Sequence, residues 1–172
     1  MASFLAAHGY DPGPTQRPLL AGAVSGLLAT APAIAILHAF GSLEVEARIL
    51  GLSIVATILA GSVLMSVAAA FYARLFGRAA NDAHVGWLFG MAFGFALWAT
   101  GAVMVLPIAS GGLAPAGIPA AGVFLSLVIW GATLGAVLPF VHRPMQASIE
   151  KAAQRAESGP SAAAGEHRMR EG

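Results

Sequence analysis

Four long apolar runs separated by short polar interruptions set the pattern of this chain. They cover Pro18 to Phe40, Gly51 to Phe71, Val85 to Leu106 and Pro119 to Val141. None contains Asp, Glu, Lys or Arg, and their sole ionisable residue is His38. A hydrocarbon core of about 30 Å takes roughly 20 helical residues to cross. Backbone groups in lipid must be satisfied within the segment, so each run is expected to be a helix. The alternating ten-residue segments of a membrane barrel are absent. The expected fold is an all-α membrane protein, a four-helix transmembrane bundle within residues 18–142.

The polar punctuation refines the ends. Pro18 suits a helix start, where its missing N–H costs nothing. Gly41 reads as a left-handed C-cap and Ser42 as the N-cap of the next helix. Glu44 and Glu46 fall in a first turn, where the helix dipole favours acids, and Glu44 stands four before Arg48. The second helix is therefore expected to reach outward, with Gly77 as its stop and only Gly41 and Ser42 in the hairpin. Asn81 and Asp82 are expected to cap the third helix, and Pro107 to end it. These signals place the helices at about 18–40, 43–76, 83–106 and 119–141. The uncharged, Gly/Pro-rich link from Pro107 to Ile118 is expected to lie on the membrane surface or over the bundle.

Composition strengthens this picture. Hydrophobic residues make up 58% of the 172 and charged residues 10%, and mean hydropathy is +0.77. Soluble domains run at about 25% charged, so this chain cannot clothe a water-soluble core. Six of its seventeen charges lie between Pro18 and Val141, all between the apolar runs. Arg17, Arg74, Arg78, Arg143, Lys151 and Arg155 fall on one side of the bundle and Arg48 alone on the other. The positive-inside rule then puts both termini in the cytoplasm of a bacterial inner membrane. Residues 1–17 form a cytoplasmic segment, and residues 143–172 a cytoplasmic tail. In that tail Met145 to Glu157 reads as a weak helix, and Ser158 to Gly172 as disordered. No cleaved leader is expected, because no basic residue precedes Arg17 and Pro32 follows the small-residue site Ala29-Thr30-Ala31. With no cysteine and a net charge of +1, thiolate chemistry and nucleic-acid binding are excluded as expectations.

Small residues recur at four-residue spacing: Gly22 and Gly26 in the first helix, Gly86, Gly90 and Gly94 in the third, Gly131 and Gly135 in the fourth. Such spacing lets helix backbones approach closely, and packing drives association in lipid. Gly90, Gly94, Trp98, Val105, Leu106 and Pro107 also match Gly122, Ser126, Trp130, Val137, Leu138 and Pro139 at an offset of 32. Trp98 and Trp130 lie roughly 13 and 16 Å from the outer ends of their helices, near mid-membrane. A buried indole N–H wants an acceptor. Thr30, Ser62, Thr100, Ser126 and Thr133 lie at similar depth, and Pro32 frees the carbonyl of Leu28. This cluster reads either as internal bonding that fixes the bundle or as a pocket for a small apolar ligand lined by Trp98, Trp130, Thr30, Ser62, Thr100 and Thr133.

Three histidines raise other chemistry. His38 near Glu44 and Glu46 has the donor types of a divalent-metal site. His84 and His142, at matching depth on adjacent helices, have the arrangement of a bis-histidine haem site. Capping explains the acids and interfacial placement the histidines, so no cofactor is expected. Mid-membrane charges, phosphate-binding loops and catalytic constellations are absent from the pattern, and no enzyme activity is expected.

The stretch from His84 to Pro107 with its G-x-x-x-G steps, the loop after it, Trp130-Gly131 through Leu134-Gly135, and Phe71-Tyr72-Ala73 carry a resemblance. The chain resembles a group of small bacterial four-span membrane proteins of the domain-of-unknown-function type. Members often carry a histidine before a glycine in helices two and four, and this chain has none there. The resemblance implies the fold and no activity. The function expected is a non-catalytic accessory or scaffold component acting through helix packing on a membrane-protein partner or a second copy. The alternative is a carrier or channel for an uncharged or apolar solute, and a haem or metal protein comes third.

Overall fold

The computed structural model describes residues 17–80 and 85–142. The caps Asn81 and Asp82, His84, the N-terminal segment and the tail helix lie outside them. Five helices follow one another: α1 Arg17–Ala39, α2 Ser42–Leu50, α3 Ile54–Ala80, α4 Gly86–Ala109 and α5 Ile118–His142. All but α2 are long and apolar enough to cross a membrane. The chain is an all-α bundle of four potential spans, as the hydropathy pattern dictates. We call the end where α1 begins the basic end, and the end carrying α2 the distal end.

Two boundaries differ from the sequence reading. The expected second helix is broken at Gly51, whose φ of 64° ends α2 in the left-handed region. Leu52 donates its N–H to the Ala47 carbonyl and Gly51 to Arg48, closing the C-terminus in a Schellman pattern. Ser53 then restarts the chain, its Oγ accepting the Ala56 N–H at 3.2 Å as the true N-cap of α3. Helix α3 runs through Gly77 to Ala80. Gly77 therefore does not stop it.

Pro107 does not end the third span either. The helix widens into a π segment over Trp98–Val105, in which the Leu106 N–H reaches back to Gly101 O, and continues to Ala109. A proline ring clashes with the carbonyl four residues back in a regular α-helix. One wide turn moves that carbonyl aside, so the proline is absorbed by a π-bulge. The fourth span likewise continues past Pro139 to His142.

The helices close into a ring of antiparallel neighbours. Between α1 and α3, a Cβ on Gly22 would lie 2.6 Å from the Ala69 carbonyl, and one on Gly26 would strike the Ala69 side chain. Between α4 and α5 the contact is tighter. Gly90 and Gly131 each face the other's carbonyl, Gly94 faces that of Leu127, and Gly135 that of Gly86. The seven glycines with small-residue spacing thus serve packing inside the bundle. The α3–α4 contact is aromatic, with Phe93 of α4 5.2 Å from Tyr72 and 6.2 Å from Phe76 between ring centroids. Tyr72 is fully buried and donates its hydroxyl to Gly86 O at 3.1 Å.

Candidate functional site

Trp130 sits where the ring of helices closes. It is fully buried, with Leu134 and Leu138 one and two turns along α5 and Phe93 6.4 Å away between ring centroids. Its indole Nε1–H donates to Gly26 O on α1 at 3.1 Å. The acceptor expected among nearby hydroxyls or the carbonyl freed by Pro32 is therefore an ordinary helix carbonyl. Gly26 has no polar side chain, so its spacing marks a packing position and not an acceptor. The hydroxyls satisfy themselves locally: Thr30 donates to Leu27 O, Ser126 to Val123 O and Thr100 to Ala96 O.

Trp98 occupies a different environment. It is half-buried in the π segment, 5.0 Å from Phe124 and 5.7 Å from Phe95 between centroids. It walls a recess of about 200 Å³ with Pro107, Val123 and two loop residues, Ala114 and Pro115. The Gly/Pro-rich link is thus packed over the bundle, held by Ser110 donating to Leu113 O. A larger groove of about 470 Å³, which includes Ser62, lies between α1 and α3. Neither recess includes Trp130, and the ligand residues expected as one cluster are divided. Trp130 and Thr30 face the interior, Trp98 the distal recess and Ser62 the outer groove. Thr100 is exposed and Thr133 half-buried.

At the distal end the α1–α2 link is pinned to α5. Ser42 Oγ donates to Pro119 O at 2.8 Å, so this hydroxyl bridges helices instead of capping α2. A Cβ on Gly122 would strike Ser42 Oγ and the Phe40 Cβ. His38 Nδ1 lies 3.1 Å from Glu44 Oε1 beside this junction. Glu46, two residues on, is turned about 200° around the helix. Among the described residues no three His, Asp or Glu side chains gather to hold a metal. His38, Glu44 and Glu46, whose donor types suit a metal, are not brought together, because the helical turn separates the two acids. Of the two histidines arranged as a haem pair would be, His142 is buried at the end of α5, and His84 lies outside the described residues.

Comparison with family models, with curated proteins and with solved structures gives no match to this chain.

Glu46 carries one measurable consequence of burial. Desolvation pushes its carboxyl up to about 7 from 4.5. The folded protein then holds a proton that the unfolded chain has released between those values, so stability falls as pH rises through this window. Glu46→Gln is expected to flatten that slope between pH 5 and 8, read from thermal unfolding in detergent. An unchanged slope would show that Glu46 is solvated in the folded protein.

Proposed function

We propose that this integral membrane protein is a non-catalytic accessory or scaffold component of a bacterial inner membrane, with its basic end in the cytoplasm. It works through helix contacts in the plane of the bilayer, presenting the open face of α4 to a membrane-protein partner. The closed interior carries this reading. Trp130, Leu134 and Leu138 fill the bundle with no more than 2% exposure, and the Trp130 donor is satisfied by Gly26. That filling leaves a solute no route along the axis. The glycine faces are spent on internal contacts, so an outward contact falls to larger side chains. Helix α4 is the least buried of the four spans, and Phe95, Val103 and Met104 project from it.

A photo-crosslinking residue at Met104 is expected to give a discrete adduct with another membrane protein in native membranes, and one at Leu28 of α1 none. Lipid adducts alone at both sites, together with protein-dependent solute movement in liposomes, would overturn this reading. They would favour the alternative of a small carrier for an apolar solute, for which the Trp98 recess is the natural port of entry.

A further inference from the structure

Between α1 and α3 runs an apolar groove that a partner on α4 would not use. Leu19 and Leu27 line it from α1, and Leu59, Ser62, Ser66 and Phe71 from α3. It is hollowed because small side chains sit between the large ones, while Gly22 and Gly26 draw the two helices together beside it. From Leu59 to Phe71 it extends about 18 Å along the helix. One leaflet of a hydrocarbon core about 30 Å thick is about 15 Å deep. The groove thus begins one turn inside Arg74, passes the bilayer middle near Met65 and ends about 8 Å short of the distal end of the α3 span.

Its lining suits a hydrocarbon chain: Leu19, Leu27, Leu59 and Phe71 form apolar walls, and Ser62 and Ser66 are its only polar side chains. Arg74 follows Phe71 by three residues and Ala70 by four, so it continues the same stripe at the mouth of the groove. It is exposed and has no ion-pair partner among the described residues. A guanidinium matches phosphate oxygens in a bidentate fork. We propose that this groove binds one acyl chain of an anionic phospholipid from the leaflet at the basic end, with its phosphate on Arg74.

The test uses the full chain in phosphatidylcholine nanodiscs doped with a photoactivatable phospholipid carrying a mid-chain diazirine. One arm has a phosphatidylglycerol headgroup, the other phosphatidylcholine. Adducts mapped by mass spectrometry are expected to concentrate on residues 19–27 and 59–71. The phosphatidylglycerol probe should exceed the other about five-fold there, the factor expected from about 1 kcal/mol for one basic residue near the headgroups. Arg74→Gln should bring that ratio close to one and Arg74→Lys retain most of it, while Ser62→Phe should lower the yield of both probes. Even labelling of all lipid-facing segments would overturn the proposal. So would an unchanged ratio in Arg74→Gln, or cross-links joining two copies through the groove. Should Arg74→Gln not fold, competition on the wild-type chain decides: excess unlabelled phosphatidylglycerol must displace the probe better than phosphatidylcholine does.

Discussion

Gly90→Leu is expected to prevent the native bundle from forming, or to destabilise it by at least about 3 kcal/mol, the upper part of the range for overpacking. Even the first carbon of a side chain there would fall on the Gly131 carbonyl and 3.1 Å from the Gly135 nitrogen. Backbone atoms cannot turn aside as a flexible side-chain tip can, so α4 and α5 must separate. Separation also frees Gly94 from Leu127 and Gly135 from Gly86, because one rigid pair of helices carries all three contacts. In lipid this loss is not offset by water release, since packing is the main source of helix association. Gly61 provides the contrast, with open space where its side chain would be. Gly61→Ala should be neutral or stabilise by about 0.5–1 kcal/mol, the usual gain from alanine in a helix interior. Unfolding in mixed detergent micelles separates the two outcomes. A Gly90→Leu protein with unchanged stability would show that the α4–α5 contact is looser than the backbone geometry implies.

The legible parts of this molecule are those fixed by one-dimensional rules. Span length and the absence of charge place α1, α3, α4 and α5 without any knowledge of packing, because the bilayer sets both requirements. Four-residue glycine spacing likewise identifies the close faces. It does not say which helix meets which, and it leaves open whether a glycine face is used internally or by a partner. The structure pairs Gly90 with Gly131, and Gly22 with the Ala69–Ala73 side of α3. The break at Gly51 had a sequence signal, a glycine two residues before a serine able to cap. The favourable Glu44–Arg48 spacing points instead to one helix continuing through Gly51. In the fold Arg48 Nε donates to the Glu44 carbonyl, and the Glu44 carboxylate turns to His38. The π segment was hidden because a proline in a long apolar run reads as a stop. Only the three-dimensional helix shows the widened turn that carries the chain past Pro107.

The 32-residue repeat illustrates the same limit. Trp98 and Trp130 are equivalent in the repeat, yet one is half-buried in a π segment and the other sealed in the centre. Gly90 and Gly122 are equivalent too, and they meet α5 and the α1–α2 link respectively. Similar helices in an antiparallel bundle have different neighbours at each depth. Similarity along the chain therefore does not carry over into similar environments. Candidate ligand residues chosen by depth alone were divided in the same way, since depth fixes one coordinate and the face of the helix fixes the other.

That difference makes the second large effect specific to one tryptophan. Trp130→Ala should lower stability by about 3–5 kcal/mol, the cost of emptying a large aromatic site in a core. Trp130→Phe keeps an aromatic ring but deletes the donor to Gly26, and should cost about 1 kcal/mol from the interhelical hydrogen bond, plus a smaller packing loss. The Gly26 carbonyl is still positioned for its own helix ladder, so it is not orphaned by the change. Trp98→Phe, at a half-buried position beside Phe95 and Phe124, should cost less than either. Reversible unfolding followed by circular dichroism in detergent gives the order directly. If Trp98→Phe proved as damaging as Trp130→Ala, the weight of the fold would lie at the π segment and the distal recess. The centre would then contribute less to the fold than its burial implies, and the scaffold reading would lose the observation on which it rests. If the order stands, the bundle is held shut by a residue that bonds α5 to α1 across its middle. A protein so closed has its outer faces left to work with.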